Sequence, residues 1–133
     1  MRPEPPILRV DLESPEPVYA QVSGGIRTAL VAGDLRPGDS LPTVRELALD
    51  LGVHHNTIAE AYRLLAREGW LDLRRGRGVI VLARKAPAPT EQARAEFARR
   101  LRELAARAVA QGVPRSAVAA QLKALGDELG GVK

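Results

Sequence analysis

The chain has 133 residues, of which 45% are hydrophobic but only 3% are aromatic. This length suits one domain, or one small domain with an appendage, and the composition favours helices packed through aliphatic side chains. The absence of cysteine excludes disulfides and thiolate metal sites. The N-terminus lacks the apolar core of a signal peptide, and the longest aliphatic run, residues 79–83, is too short to span a bilayer. We therefore expect a cytoplasmic protein with no membrane partner.

The charge of the chain gives only weak support for binding to nucleic acid. The net charge is +4 and the sequence pI is near 10.1. Residues 1–85 carry 12 basic against 11 acidic side chains, whereas residues 86–133 carry 8 against 5. Because the first segment is almost neutral, any argument for nucleic-acid binding depends on where its arginines lie.

The N-terminal third predicts a short strand and a scaffold helix. Residues 8–12 alternate apolar and polar side chains, which is typical of a strand that pairs with a later hairpin or forms a loose arm. A helix is predicted from about Pro17 to Ala32 and ends at Gly33. Its apolar positions recur every fourth residue, at Val18, Val22, Ile26 and Leu30.

Two short helices joined by a tight turn follow. Thr43 and Glu46 have the spacing of a capping box, which begins a helix that ends at Gly52. A third helix is predicted from about His54 to Glu68. One face of it is apolar: Ile58, Ala61, Tyr62, Leu65 and Ala66. The opposite face carries His55, Asn56, Ala59, Glu60 and Arg63. Polar side chains in a first helical turn can meet phosphates and base edges together with the free backbone amides.

A β-hairpin is predicted after the third helix. Residues 70–73 and 79–82 form its strands, and the tip between them is Arg74, Arg75, Gly76, Arg77 and Gly78. Glycine permits positive φ and lets the backbone approach a ligand closely, while the three arginines make the tip positive. We expect Trp70 to staple the hairpin to the third helix rather than to stack on a base. Together these elements predict a winged helix-turn-helix, a fold whose usual function is to bind specific DNA sequences.

The C-terminal third predicts a second, helical unit. Residues 86–89 alternate alanine and proline and form a short stiff linker. Thr90 caps a helix to about Gln111, and a second helix runs from about Arg115 to Leu129 before Gly130 and Gly131 end it. A hairpin of fewer than about 50 residues buries itself poorly, so we expect it to pair with another copy. The predicted contact residues are Phe97, Leu101, Leu104, Val118, Leu122 and Leu125.

The predicted fold is therefore mainly α with a small β wing. It comprises a winged helix-turn-helix over residues 1–85, a linker over residues 86–89, and a dimerisation hairpin over residues 90–133.

Residues from Pro17 to about Leu82 resemble the GntR family of bacterial transcription regulators. The segments that carry the resemblance are Pro17-Val18-Tyr19-Ala20-Gln21-Val22, residues 33–48, Asn56-Thr57-Ile58, Ala61-Tyr62, Glu68-Gly69-Trp70 and Arg75-Gly76-Arg77-Gly78. The short C-terminal helical pair is similar to the YtrA subfamily, whose members lack a large effector domain and tend to regulate transporter operons.

The resemblance implies specific DNA contacts. It places Arg45 at a base edge in the major groove, where a guanidinium matches guanine O6 and N7. The alternative for Arg45 is a solvated pairing with Glu46 or Asp50. Thr43, Asn56, Thr57 and Tyr62 are expected to hold phosphates, and the tip formed by Arg74, Arg75, Gly76 and Arg77 is expected to meet the minor groove. The family usually has arginine where His55 stands, so His55 is expected to make at most one short base contact and to alter the preferred operator.

These features predict a homodimeric regulator, a repressor by resemblance, that binds a pseudo-palindromic operator in double-stranded DNA. No metal is expected, because adjacent helical residues such as His54 and His55 point about 100° apart and no further ligand completes a site. No cofactor is expected either. Enzymatic motifs are absent from the sequence. The identity of any small-molecule effector stays open. The rival interpretation is a winged helix that binds another protein, and the polar start of the third helix favours DNA.

Overall fold

The computed structural model describes residues 8–73 and 78–131. Those residues form five helices and three short strands. The chain divides into two compact units between Lys85 and Ala86. Each unit is described by itself.

The first helix, α1, runs over Val18–Ala32 and forms one wall of the first unit. Pro17 is its N-cap rather than its first helical residue, so the helix begins one residue later than the sequence suggested. Gly33 ends the helix as predicted, with φ 85°, and its N–H bonds back into the last turn. The buried side chains of α1 are Val22, Ser23, Ile26, Ala29 and Leu30.

Helices α2 (Val44–Leu51) and α3 (His55–Arg67) form the helix-turn-helix. The capping box is confirmed: Thr43 Oγ1 accepts a hydrogen bond from the Glu46 amide at 3.1 Å, and the Thr43 amide donates to Glu46 Oε1 at 2.9 Å. Gly52, with φ 68°, makes the predicted turn after α2. His54 caps α3, because its Nδ1 accepts from the Asn56 amide at 3.1 Å.

The wing is a three-stranded antiparallel sheet in the order β1-β3-β2. The predicted hairpin corresponds to β2 (Leu71–Leu73) and β3 (Val79–Val81). The third strand is β1 (Ser40–Leu41), where Leu41 lies opposite Val79. The prediction that residues 8–12 form a strand is wrong, because none of them lies in a strand.

The N-terminal segment is tied to α1 instead. Leu8 and Val10 pack against the core, and the side-chain amide of Gln21 binds both backbone groups of Asp11. The two distances are 2.8 Å to the Asp11 amide and 2.9 Å to its carbonyl. These are the groups that a neighbouring strand would need, so the hydrogen bonds to Gln21 replace a strand pairing here.

One core joins α1, α2, α3 and the sheet. Its centre is the apolar face of α3, where Ile58, Ala61 and Leu65 are fully buried. Tyr62 is also buried, with 1% of its surface exposed, and its hydroxyl donates to the Pro42 carbonyl at 2.7 Å. Burial, together with the nearby carboxylate of Glu46, raises the pKa of the Tyr62 hydroxyl far above its ordinary value.

A polar cluster fixes the end of α3 to α1 and to the segment after β3. Arg27 forms a two-pronged pair with Glu68, at 3.0 Å from Nε and 2.6 Å from Nη2. Trp70 Nε1 donates to Glu68 Oε1 at 3.2 Å. The Arg84 guanidinium lies 4.5 Å from the ring centre of Trp70, and its Nε donates to the Glu68 carbonyl at 2.7 Å. Trp70 also packs against the core, which is the stapling position predicted for it.

The second unit is a helical hairpin of α4 (Glu91–Ala110) and α5 (Arg115–Gly131). Thr90 caps α4 as predicted, with its hydroxyl accepting from the Ala93 amide at 3.0 Å. The predicted end of α5 at Leu129 is wrong, since the helix continues through Gly131. Glycine costs a helix only about 1 kcal/mol per residue relative to alanine, which does not by itself end one. None of the described helices is long and apolar enough to cross a membrane.

Glu68→Gln should lower the free energy of unfolding by about 1–2 kcal/mol near pH 7, because it removes the charge that Arg27 binds. The hydrogen bonds from Arg27 hold the pKa of Glu68 below its ordinary 4.5. The stabilisation from the charged form is therefore present above that pH and is lost as the pH falls through the folded-state pKa. Urea titrations near pH 7 and about pH 3 should show a smaller difference between variant and wild type in acid.

Glu60→Gln is the matched control, because Glu60 is an exposed carboxylate on α3, the helix that Glu68 follows directly. It should leave stability nearly unchanged. A difference for Glu68→Gln that stays constant between the two pH values would contradict the role given to the Glu68 charge.

Candidate nucleic-acid interface

The exposed face formed by α2 and the start of α3 brings several of the predicted site residues together. Arg45 lies in the first turn of α2, two residues after the cap Thr43. A surface depression of about 490 Å³ lies beside it, lined by Arg45, Ala48, Leu49, Val53, His54 and His55. Arg45 and His55, which belong to different helices, thus share one concave surface.

Arg45 is exposed, and among the described residues no hydrogen bond or ion pair engages its guanidinium. The alternative pairing with Glu46 or Asp50 does not form. One reason is local, because the Glu46 carboxylate accepts from the Thr43 amide. The capping box therefore holds the neighbouring acid close to the backbone and leaves the guanidinium of Arg45 directed to solvent.

Thr43 is exposed and has a donor suited to a phosphate. Its oxygen accepts the hydrogen bond from the Glu46 amide, while no described hydrogen bond uses its hydroxyl proton. A hydroxyl can accept and donate at the same time. Thr43 can therefore cap α2 and donate to an anion in the same conformation.

The first turn of α3 presents the other polar side chains. His55 and Asn56 are exposed and Thr57 is half-buried. The rings of His54 and His55 stack at 4.5 Å between centroids with an angle of 25°. The described residues contain no group of three or more acidic, histidine or cysteine side chains placed to hold a metal.

Tyr62 does not lie on this exposed surface. Its one hydroxyl proton is donated to the Pro42 carbonyl, and phosphate oxygens only accept hydrogen bonds. A phosphate contact would require this buried bond to break. The structure thus gives Tyr62 a role in the core, and its predicted phosphate contact finds no support in this geometry.

The predicted wing tip, Arg74, Arg75, Gly76 and Arg77, lies outside the described residues. The hairpin on either side of it is described, with Leu73 paired opposite Val79. Gly78 has φ 73°, a left-handed conformation that favours glycine.

Sequence reasoning missed Leu49. Its side chain is 82% exposed, although leucine at a helix position near the core would ordinarily be buried. The spacing of residues along α2 already indicated that Leu49 is exposed. Leu49 falls four residues after Arg45, whereas the inward positions of α2 are Leu47 and Ala48.

A helix-turn-helix followed by an antiparallel wing, with an arginine and polar side chains on its exposed face, defines the class of winged helix-turn-helix domains. The family described as bacterial regulatory proteins, gntR family, matches residues 18–81. The chain belongs to this family and is similar within it to YtrA-type regulators.

Three comparisons illustrate the similarity. The transcriptional repressor YtrA of Bacillus subtilis (strain 168) is 37% identical over 75 residues, which cover 56% of this chain and 58% of that protein. The structure of YtrA from Sulfolobus acidocaldarius, a GntR-family transcription factor, is 35% identical with a TM-score of 0.56, and the match covers 78% of this chain and 98% of that one. The AraR DNA-binding domain in complex with operator ORX1 is 33% identical with a TM-score of 0.51, covering 56% and 95%.

The matches to the curated relatives span less than two thirds of their length, at 58% for YtrA and 57% for the YhcF regulator of the same species.

Arg45→Ala should weaken binding to a specific DNA site by about 1–3 kcal/mol and relax the preference at one base pair, because a guanidinium contact to a base edge is lost. Fluorescence anisotropy with the selected site and with single-base variants of it measures both effects.

Arg94→Ala is the control, since it removes the same charge from an exposed position in the second unit. It should leave the base preference intact. If Arg45→Ala kept both the affinity and the preference of the wild type, a base contact by Arg45 would be excluded.

Proposed function

We propose that this protein is a sequence-specific DNA-binding regulator of transcription that acts as a homodimer. The observation that carries the proposal is the exposed guanidinium of Arg45, which no other described residue binds, beside the polar first turn of α3. The AraR domain, whose structure was determined with an operator, supports double-stranded DNA as the partner.

The α2–α3 face enters the major groove in this proposal. Arg45 binds guanine O6 and N7, and His55 makes a single contact to a neighbouring base edge. Thr43, Asn56 and Thr57 donate to phosphates and set the position of the domain on the duplex. The tip at Arg74, Arg75, Gly76 and Arg77 lies in the adjacent minor groove, as the family resemblance implies.

The helical hairpin is the proposed dimerisation unit. Neither α4 nor α5 buries any residue, and Phe97 and Leu104 are 66% and 63% exposed. The described hairpin also has an apolar groove of about 370 Å³, lined by Leu101, Leu104, Ala105, Ala108, Val113, Ala117, Val118, Gln121 and Leu122. An apolar face of this kind is stable in water when a second copy covers it. Leu125, 48% exposed, follows the groove residue Leu122 by three positions, a spacing that puts two side chains on the same side of a helix.

A two-fold axis through the paired hairpins would relate two α3 helices, so the operator would contain inverted half-sites. Repression is the proposed sign of regulation, because the Bacillus subtilis relative is named a repressor. Control of a transporter operon is proposed on the resemblance to the YtrA subfamily alone.

Binding to the DNA upstream of its own gene should be at least about a thousandfold tighter than binding to random duplex, and should weaken steeply as salt rises. The physical reason is that phosphate contacts release counterions while base contacts distinguish sequences. Fluorescence anisotropy across a salt series tests this. Weak and salt-insensitive binding to both duplexes would favour the alternative function, a winged helix that binds another protein.

A chain truncated after Lys85 should be a folded monomer that binds one half-site weakly. All buried core residues lie between Val22 and Val81, so the first unit retains its core without the hairpin. Sedimentation equilibrium and anisotropy measure the mass and the affinity.

In the complete chain, Leu101→Glu should likewise give a monomer that binds one half-site weakly, because it places a charge in the apolar groove. Lys123→Glu, a charge change on α5 outside the residues that line the groove, is its control. Dimers in the truncated chain, or undiminished affinity for the full operator, would exclude the hairpin as the dimerisation unit.

A further inference from the structure

Leu49 is the most exposed large apolar side chain of the described residues. It makes no contribution to the core, which α2 contacts through the buried Leu47 and Ala48 and the partly buried Val44 and Leu51. Core stability therefore does not account for leucine at this position, where a polar side chain would be better solvated.

The position of Leu49 relates it to the proposed DNA contacts. It follows Arg45 by four residues on the same helix, which places the two side chains on one face about 6 Å apart at Cβ. Both line the depression that also contains Val53 and His55. This surface therefore combines a cation and an apolar side chain from α2 with an imidazole from α3.

The major groove offers a chemically matching partner. Thymine carries a 5-methyl group there, next to the acceptors and donors that arginine and histidine can bind, and apolar side chains recognise it by contact. Because the exposed guanidinium of Arg45 lines the same depression, a polyanion such as DNA matches this surface better than an apolar protein surface does.

We propose that Leu49 determines operator specificity by packing against the 5-methyl group of a thymine close to the base that Arg45 contacts. This inference rests on the proposed function, because it requires the α2–α3 face to enter the major groove. The contact made by Leu49 adds a preference for the thymine methyl group, which the polar side chains of the site do not supply.

The test removes the methyl group without changing base pairing. The preferred site of the complete wild-type protein is first selected from a random duplex pool, and each thymine in it is then replaced in turn by deoxyuridine. One of these thymines should lie near the base pair for which Arg45→Ala loses its preference. When that thymine is replaced by deoxyuridine, the wild type should bind the site about fourfold more weakly, because one methyl group is no longer buried.

Leu49→Ala should bind the thymine site more weakly than the wild type does and should not distinguish thymine from deoxyuridine at that position. Because Leu49 is outside the core, this variant should keep the wild-type unfolding transition. Val31→Ala is the matched control, since Val31 is an exposed aliphatic side chain on α1. It should keep the fourfold discrimination of the wild type, within about a factor of two.

Two outcomes overturn the inference while leaving the proposed function in place. In the first, the wild type selects a site but is indifferent to every deoxyuridine substitution. In the second, Leu49→Ala keeps the discrimination, or changes only the self-association measured by sedimentation, which would assign Leu49 to a protein contact. Failure of the wild type to select any site from the pool would instead reject the proposed function, and the inference with it.

Discussion

The burial of one face of α3 is the constraint on which the rest of the first unit depends. Ile58, Ala61 and Leu65 are removed from water completely, and this fixes the rotation of the helix about its own axis. Side chains one position apart on a helix differ by about 100° in direction, so no rotation by one residue is tolerated. The polar first turn at His55 and Asn56 is exposed because the opposite face is fully buried.

The same helix also positions α2. The hydrogen bond from the Tyr62 hydroxyl to the Pro42 carbonyl joins the middle of α3 to the residue just before the cap of α2. Thr43 and Glu46 then begin the helix, and Arg45 lies between them in sequence. The position of Arg45 thus follows from a part-buried hydrogen bond between α3 and Pro42 and from the local capping box.

Much of this arrangement follows from local sequence patterns. Helix periodicity, the cap at Thr43 and the glycines at positions 33 and 52 depend on neighbours within a few residues, so they could be predicted. The strand at Ser40–Leu41 could not, because two residues carry no periodicity and the strand exists only through its pairing with β3. The periodicity of α3 predicted Tyr62 on the buried face, but its hydrogen bond could not be foreseen, since the partner is 20 residues away in sequence. The exposure of Leu49, in contrast, could be inferred from its spacing relative to the inward positions Leu47 and Ala48.

The charge distribution makes recognition depend on a few side chains. The first unit has a net charge of only +1 from its sequence, and Arg27 and Arg84 are engaged within it by Glu68 and Trp70. On α4, Arg99 and Arg100 form ion pairs with Glu96. Cations held by acidic partners add little to the long-range attraction for a polyanion. In the proposed complex, discrimination among DNA sequences comes from direct contacts to base edges. Arg45 and its neighbours in the α2–α3 depression are the described side chains proposed to make them.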